Sequence, residues 1–129
     1  QWRRICGMPA LWVGLLYDSV ALDAAWDMVK DWTAEERQAL RDGVARQGFK
    51  VPFRGTTVHE LARRMVEISA AGLKRRAALD SAGMSEEGFL GPLREIVSRG
   101  HTRAEEMLEH YHGAWGGDLT PLFTEYNFL

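Results

Sequence analysis

Cysteine is nearly absent from this sequence: its 129 residues hold one, Cys6. No disulfide can form within the chain, which argues against a disulfide-stapled secreted domain and fits a reducing cytoplasm. An excess of one charge is missing too. Lysine and arginine total 16 against 18 acids, a net charge of -2, so nothing draws the chain toward nucleic acid or an anionic lipid surface. The longest uncharged stretches include the thirteen residues from Ile5 to Tyr17, short of the about 18–20 that a membrane-spanning helix takes. Acids follow at Asp18, Asp23 and Asp27 with no small-residue cleavage motif between, so this stretch does not read as a secretory signal either.

Chemistry-bearing motifs are equally scarce. RQGFKVPFRG has the glycines of a phosphate loop but not the Gly-Lys-Ser/Thr ending that places a lysine and a magnesium-binding hydroxyl. Glu109 and His112 have the spacing used in di-iron bundles, yet no second Glu-x-x-His accompanies them, and His59 and His101 stand apart. No metal site is expected. Nothing supports a Ser-His-Asp or Cys-His nucleophile, and Cys6 in its apolar run reads as packing. The cations of LKRR suit the C-terminal end of a helix better than a nucleic-acid surface.

What is present is a helical pattern. With 46% hydrophobic and 26% charged residues, the composition is that of one globular domain. No alternation of apolar and polar residues is long enough for a convincing strand. Three segments, TAEE from Thr33, TVHE from Thr57 and TRAE from Thr102, set a threonine three residues before a glutamate. In each, the hydroxyl accepts from a first-turn N–H and the carboxylate reaches back to the cap N–H, which marks a helix start. Pro9 suits the first turn of a helix over Ala10–Tyr17. Ser19 is a candidate cap for a second helix with Val20, Leu22, Trp26 and Val29 along one side.

The helix from Thr57 is expected to be the longest, with Val58, Leu61, Ala62, Met65, Ser69, Gly72 and Leu73 facing a core. Arg63, Arg64, Glu67, Lys74 and Arg75 take its other face. Gly83 is placed at its end or in the linker beyond. Ser85 opens a further helix that Gly100 stops, and Thr120 with Pro121 opens a short last one. Residues 46–57 form the one long loop. The fold class is all-α, about six helices in an irregular bundle.

These residues make a helical domain without a self-contained active site. Five tryptophans are many for this length, and much of that ring surface belongs in a core or a contact. The chain opens on its most hydrophobic segment, at Gln1 rather than Met, which reads as a piece of a longer polypeptide. The rival reading is a free-standing interaction domain with a tryptophan-rich binding face. The segments WRRICGMPALWVGLLYD, DWTAEERQALR, GFKVPFR, GLKRR and GHTRAEEMLEHYHGAWGGDLTPLFTEY resemble, in that order, the C-terminal part of glutamate–cysteine ligase of the plant and proteobacterial type. RAALDSAGMSEEGFLGPL departs from the plant pattern, being longer, and is closer to a bacterial version.

The resemblance implies a parent enzyme several times this length that joins the γ-carboxylate of glutamate to the amine of cysteine, the first step of glutathione synthesis, with ATP and Mg2+. The implied route is a γ-glutamyl phosphate, since a carboxylate becomes an electrophile only once it carries a leaving group. The catalytic groups are implied to lie upstream, on a glutamine-synthetase-like antiparallel sheet that is the main partner of these helices. The segment alone is then inert, with no ATP or metal of its own, and its apolar opening leaves it prone to self-association. The substrate contacts implied here are Arg3 or Arg4 near a substrate carboxylate, Trp12 lining the pocket and, more weakly, Arg54 beside Phe53.

Overall fold

The computed structural model describes the backbone of residues 2–125 and the side chains of residues 5–125. Seven helices account for most of it: α1 (Trp2–Leu16), α2 (Ser19–Val29), α3 (Ala34–Gln47), α4 (Val58–Arg76), α5 (Gly91–Arg99), α6 (Arg103–His112) and α7 (Thr120–Glu125). The all-α class holds. The only ladder among the described residues is a two-stranded hairpin, β1 (Pro52–Phe53) and β2 (Thr56–Thr57), within the expected loop. Its turn is Arg54-Gly55, both at positive φ (45° and 79°), the backbone twist that a two-residue hairpin loop requires.

The helix starts follow their caps, with informative differences. Thr33 and Thr102 form complete capping boxes with Glu36 and Glu105. Thr57 makes half of one: its hydroxyl accepts from the Glu60 N–H, but the Glu60 carboxylate has turned to Arg63, at 2.7 Å and 3.0 Å. The cap of α2 is Asp18 rather than Ser19. Its carboxylate accepts from the Ala21 N–H at 2.8 Å while Arg75 of α4 holds the same group, at 2.6 Å for the shortest contact. Two cap-competent residues stand side by side, and the one with a tertiary partner takes the position. α4 ends on Ala77 in the left-handed conformation, and Gly83 turns the linker beyond it.

α1 departs most from expectation. It starts several residues before Pro9, which sits inside the helix and not in its first turn. A proline there removes the N–H that would bond the Ile5 carbonyl, a loss that tertiary packing of the remaining turns has to offset. That packing is the α1–α4 crossing. Gly14 and Gly72 face each other so closely that a Cβ on Gly72 would lie 2.0 Å from the Gly14 carbonyl oxygen. Ser69, fully buried, donates from Oγ to the Leu11 carbonyl at 2.9 Å in the same seam. Small residues at the crossing let the two backbones touch, and the core closes around it with Ala10, Ala70, Leu73 and Leu90, against which Leu11, Val13, Phe89 and Leu93 pack. α2 lies on the same helix through its small face, centred on buried Ala21, which leaves Val20, Leu22 and Trp26 largely in solvent against expectation. A second cluster ties the hairpin to α3, with Phe53 edge-on to Trp32 at 4.7 Å and Val51 buried against Gly43.

Candidate functional site

The outward surface of α1 is the most unusual feature of the described residues. Successive residues of a helix turn by about 100°, which puts Gly7, Ala10 and Gly14 on one side and Ile5, Met8, Pro9, Trp12 and Leu16 on the other, with Leu15 at the border beside Met8. The first set is buried against α4 and its neighbours. The second faces water: Ile5, Met8, Trp12 and Leu16 are each about half exposed or more, at 63%, 48%, 54% and 51%. No polar side chain interrupts the helix between Ile5 and Leu16. Fully burying a side chain of this size is worth about 1.5–3 kcal/mol, of which these half-exposed residues forgo about half, and a helix apolar on all sides is normally enclosed on all sides.

Beside this stripe lies a cavity of about 210 Å³ lined by Cys6, Pro9, Ala10, Val13, Leu73, Glu86 and Phe89. Pro9 belongs both to the stripe and to the cavity wall. The one carboxylate there, Glu86, is paired with Arg76 at 3.1 Å, so the interior offers apolar contact more than charge.

Of the residues singled out in the sequence, Trp12 is at the centre of the stripe. Arg3 and Arg4 are in the first turns of α1, about 12 Å along the axis from Trp12 for Arg4, and their side chains lie outside the described residues. Arg54 is elsewhere. Its guanidinium grips Glu36 with two hydrogen bonds of 2.7 Å and 2.6 Å, donates to the Asp31 carbonyl at 2.7 Å and lies over the Phe53 ring at 5.6 Å. That fork holds the Glu36 carboxyl below its ordinary range, helped by the Thr33 N–H, and holds the guanidinium's own proton more tightly. The structure therefore joins Arg54 to the start of α3, and none of these partners is on α1. Lys50, the other cation of that loop, stands 3.6 Å from Glu105.

Two structural pairings escaped the sequence reading. Arg75–Asp18 locks α4 to the start of α2 and lowers the Asp18 carboxyl, first through the Arg75 hydrogen bonds and then through the Ala21 N–H. Arg76 lies over the Tyr17 ring at 5.4 Å. Neither has a local signature, because the partners are nearly sixty residues apart in sequence. Among the described residues no three His, Cys, Asp or Glu side chains converge on a point that would hold a metal ion; His101 Nε2 and Glu109 Oε2 approach to 3.5 Å as a pair.

The chain is 47% identical over 124 residues to the chloroplastic glutamate–cysteine ligase of Nicotiana tabacum, 46% to that of Solanum lycopersicum and 44% to that of Arabidopsis thaliana. Each match takes in 96% of this chain and 23% of the relative, so the chain spans about a quarter of the length of these curated relatives. Their chloroplastic names overturn the cytoplasmic placement read from the lone cysteine. One unpaired thiol speaks for a reducing environment and does not separate one reducing compartment from another. Residues 1–125 match the family model described as glutamate-cysteine ligase family 2. On a match of nearly its whole length, the chain belongs to that family.

Proposed function

We propose that this chain is the helical, C-terminal part of an enzyme that joins the γ-carboxylate of glutamate to the amine of cysteine at the expense of ATP, the step that opens glutathione synthesis. Family membership supports this reading, and the relatives' printed names supply the two amino acids joined; the γ-linkage, the use of ATP and the place in glutathione synthesis are part of the proposal. Among the described residues no acidic cluster converges to hold Mg2+, and Arg54, Arg63, Arg75 and Arg76 are each paired with a carboxylate, which supports placing ATP and Mg2+ elsewhere in such an enzyme. Their seats belong to the remaining three quarters of such an enzyme, and no phosphoryl step is assigned to this chain.

Its own role is to shape and support. Trp12 is suited to forming an apolar wall of the substrate pocket, and a guanidinium from Arg3 or Arg4 to meeting a substrate carboxylate through paired hydrogen bonds. Arg54 ranks below them, since the Nε and Nη2 groups of its guanidinium serve the α3 junction. The test is steady-state kinetics of the full-length ligase carrying Trp12→Ala or Arg4→Ala. A KM for glutamate or cysteine raised tenfold or more with kcat little changed supports the assignment; unchanged kinetics in a folded variant removes it. The isolated 129-residue chain, assayed for ATP-dependent γ-glutamylcysteine, is expected to be inactive, and turnover requiring both amino acids would refute the division of labour.

A further inference from the structure

Among the described residues Ser69 is the one polar side chain buried in the core, and it reaches α1 at the turn that carries Trp12. Its Oγ donates at 2.9 Å to the Leu11 carbonyl, the carbonyl of the peptide that joins Leu11 to Trp12. Further along the same helix, Ser69 closes on Gly14, where a Cβ would lie 2.3 Å from Ser69 Oγ and 2.4 Å from the Ser69 carbonyl oxygen. Ser69 thus meets α1 just before and just after Trp12 in the chain. The Trp12 side chain itself leaves the helix on the opposite, half-exposed face.

Apolar contact alone would hold α1 at a distance from α4 without fixing its rotation, because burial has no direction. A hydrogen bond has one. The helix supplies less of that constraint than usual, since Pro9 lacks the N–H that would bond the Ile5 carbonyl and the turn before Trp12 is tied by one bond fewer. Ser69 is a firm anchor, for α4 is held by Leu73 in the core and by the Arg75–Asp18 pair at its end. Rotating α1 by about 10° carries a side-chain tip about 5–6 Å from the axis through about 1 Å. A displacement of about 1 Å in a substrate site is worth on the order of a hundredfold in rate. We propose that Ser69 is a positioning residue for the substrate pocket: by gripping the Leu11 carbonyl it sets the rotation of α1, and with it the place of the Trp12 indole. The proposal rests on the reading of Trp12 as a pocket wall and deepens it by naming what holds that wall.

The experiment is steady-state kinetics of the full-length ligase in a double-mutant cycle of Ser69→Ala and Trp12→Ala, with glutamate and cysteine each varied. Trp12→Ala identifies the amino acid whose KM rises. Ser69→Ala is expected to raise the same KM by about threefold or more with kcat little changed. The double variant is expected to match Trp12→Ala alone, because a residue that works through Trp12 has nothing left to work on. A purely structural role would reduce the thermal midpoint and the amount of active enzyme while leaving KM where it was. An unchanged KM in Ser69→Ala therefore overturns the proposal, and so do KM effects that multiply in the double variant. Fluorine NMR of the fluorotryptophan-labelled enzyme gives a second readout. The Trp12 signal, identified by its loss in Trp12→Phe, is expected to shift in Ser69→Ala while that of Trp32, packed on Phe53, stays in place. An unmoved Trp12 signal counts against the proposal as well. The two layers separate in the single variants. A KM that Trp12→Ala raises and Ser69→Ala leaves alone defeats this inference only, whereas a folded Trp12→Ala enzyme with unchanged kinetics removes the pocket reading and this inference with it.

Discussion

Gly72 is the residue on which the packing turns. A methyl group there would have to occupy space 2.0 Å from the Gly14 carbonyl oxygen and 3.0 Å from the Ala21 Cβ, and backbone cannot swing away as a side chain does. Gly72→Ala is therefore expected to destabilise the chain by about 1–3 kcal/mol despite alanine's better helix propensity. Urea denaturation followed by circular dichroism measures this, and a midpoint equal to wild type would show that the helices are not in contact. Ser69→Ala, which gives up one hydrogen bond to the Leu11 carbonyl, is expected to cost about 1 kcal/mol in the same assay. Gly72 and Ser69 were both legible as core-facing from their three- and four-residue spacing. Gly14 was not, because nothing in an apolar run tells which glycine meets a neighbouring backbone. The same limit applies to Arg54: a cation beside an aromatic ring in a loop looks available until Glu36, eighteen positions earlier, is brought against it.

The elements owe their boundaries to caps, and the three threonine caps make unequal contributions. Thr33→Ala and Thr102→Ala each remove the hydroxyl half of a capping box, leaving the backbone N–H of the cap on its glutamate, and are expected to cost about 1 kcal/mol. Thr57→Ala breaks one long bond of 3.4 Å and is expected to cost less than either, so equal losses at the three sites would contradict the observed geometry.

The carboxylates in these junctions set the response to acid. Glu36, Glu105 and Asp18 all have their pKa lowered by folding, through Arg54, the Thr102 N–H and Arg75 respectively. A depressed folded-state pKa means that the unfolded chain takes up the proton first. The stabilisation is complete above the ordinary carboxylate range and is lost as pH falls through it, below about pH 4–5. Thermal midpoints measured from pH 7 to 3 are expected to be flat and then to drop, with a shallower drop in Glu36→Gln; a midpoint that rises on acidification would reverse the sign. Caps were readable from sequence because they are local. The start of α1 was misread because Pro9 usually opens a helix, and here the buried crossing carries the helix through it.

At the scale of the whole molecule, the inner half is packed and the outer half of α1 is bare. The isolated chain is expected to associate through that half as concentration rises, and Trp12→Glu is expected to return it to monomer without changing its helical signal. Light scattering of both proteins from micromolar to millimolar checks this, and a wild-type chain that stays monomeric throughout would show the stripe to be inert. The all-α architecture was legible from helical periodicity and punctuation. Which side of α1 faces inward was not, since a helix greasy on every side has no phase to read, and only the contact with α4 fixes it.

That fixing has a mechanical meaning. With two backbones pressed together at one point, α1 is held at its crossing with α4, and the Arg75–Asp18 fork ties the turn that follows α1 to the end of α4. Its bare side is thereby presented in a fixed direction relative to α4. Whatever settles on it must arrive with the matching relief, since the cost of ordering this half of the contact has been met by folding.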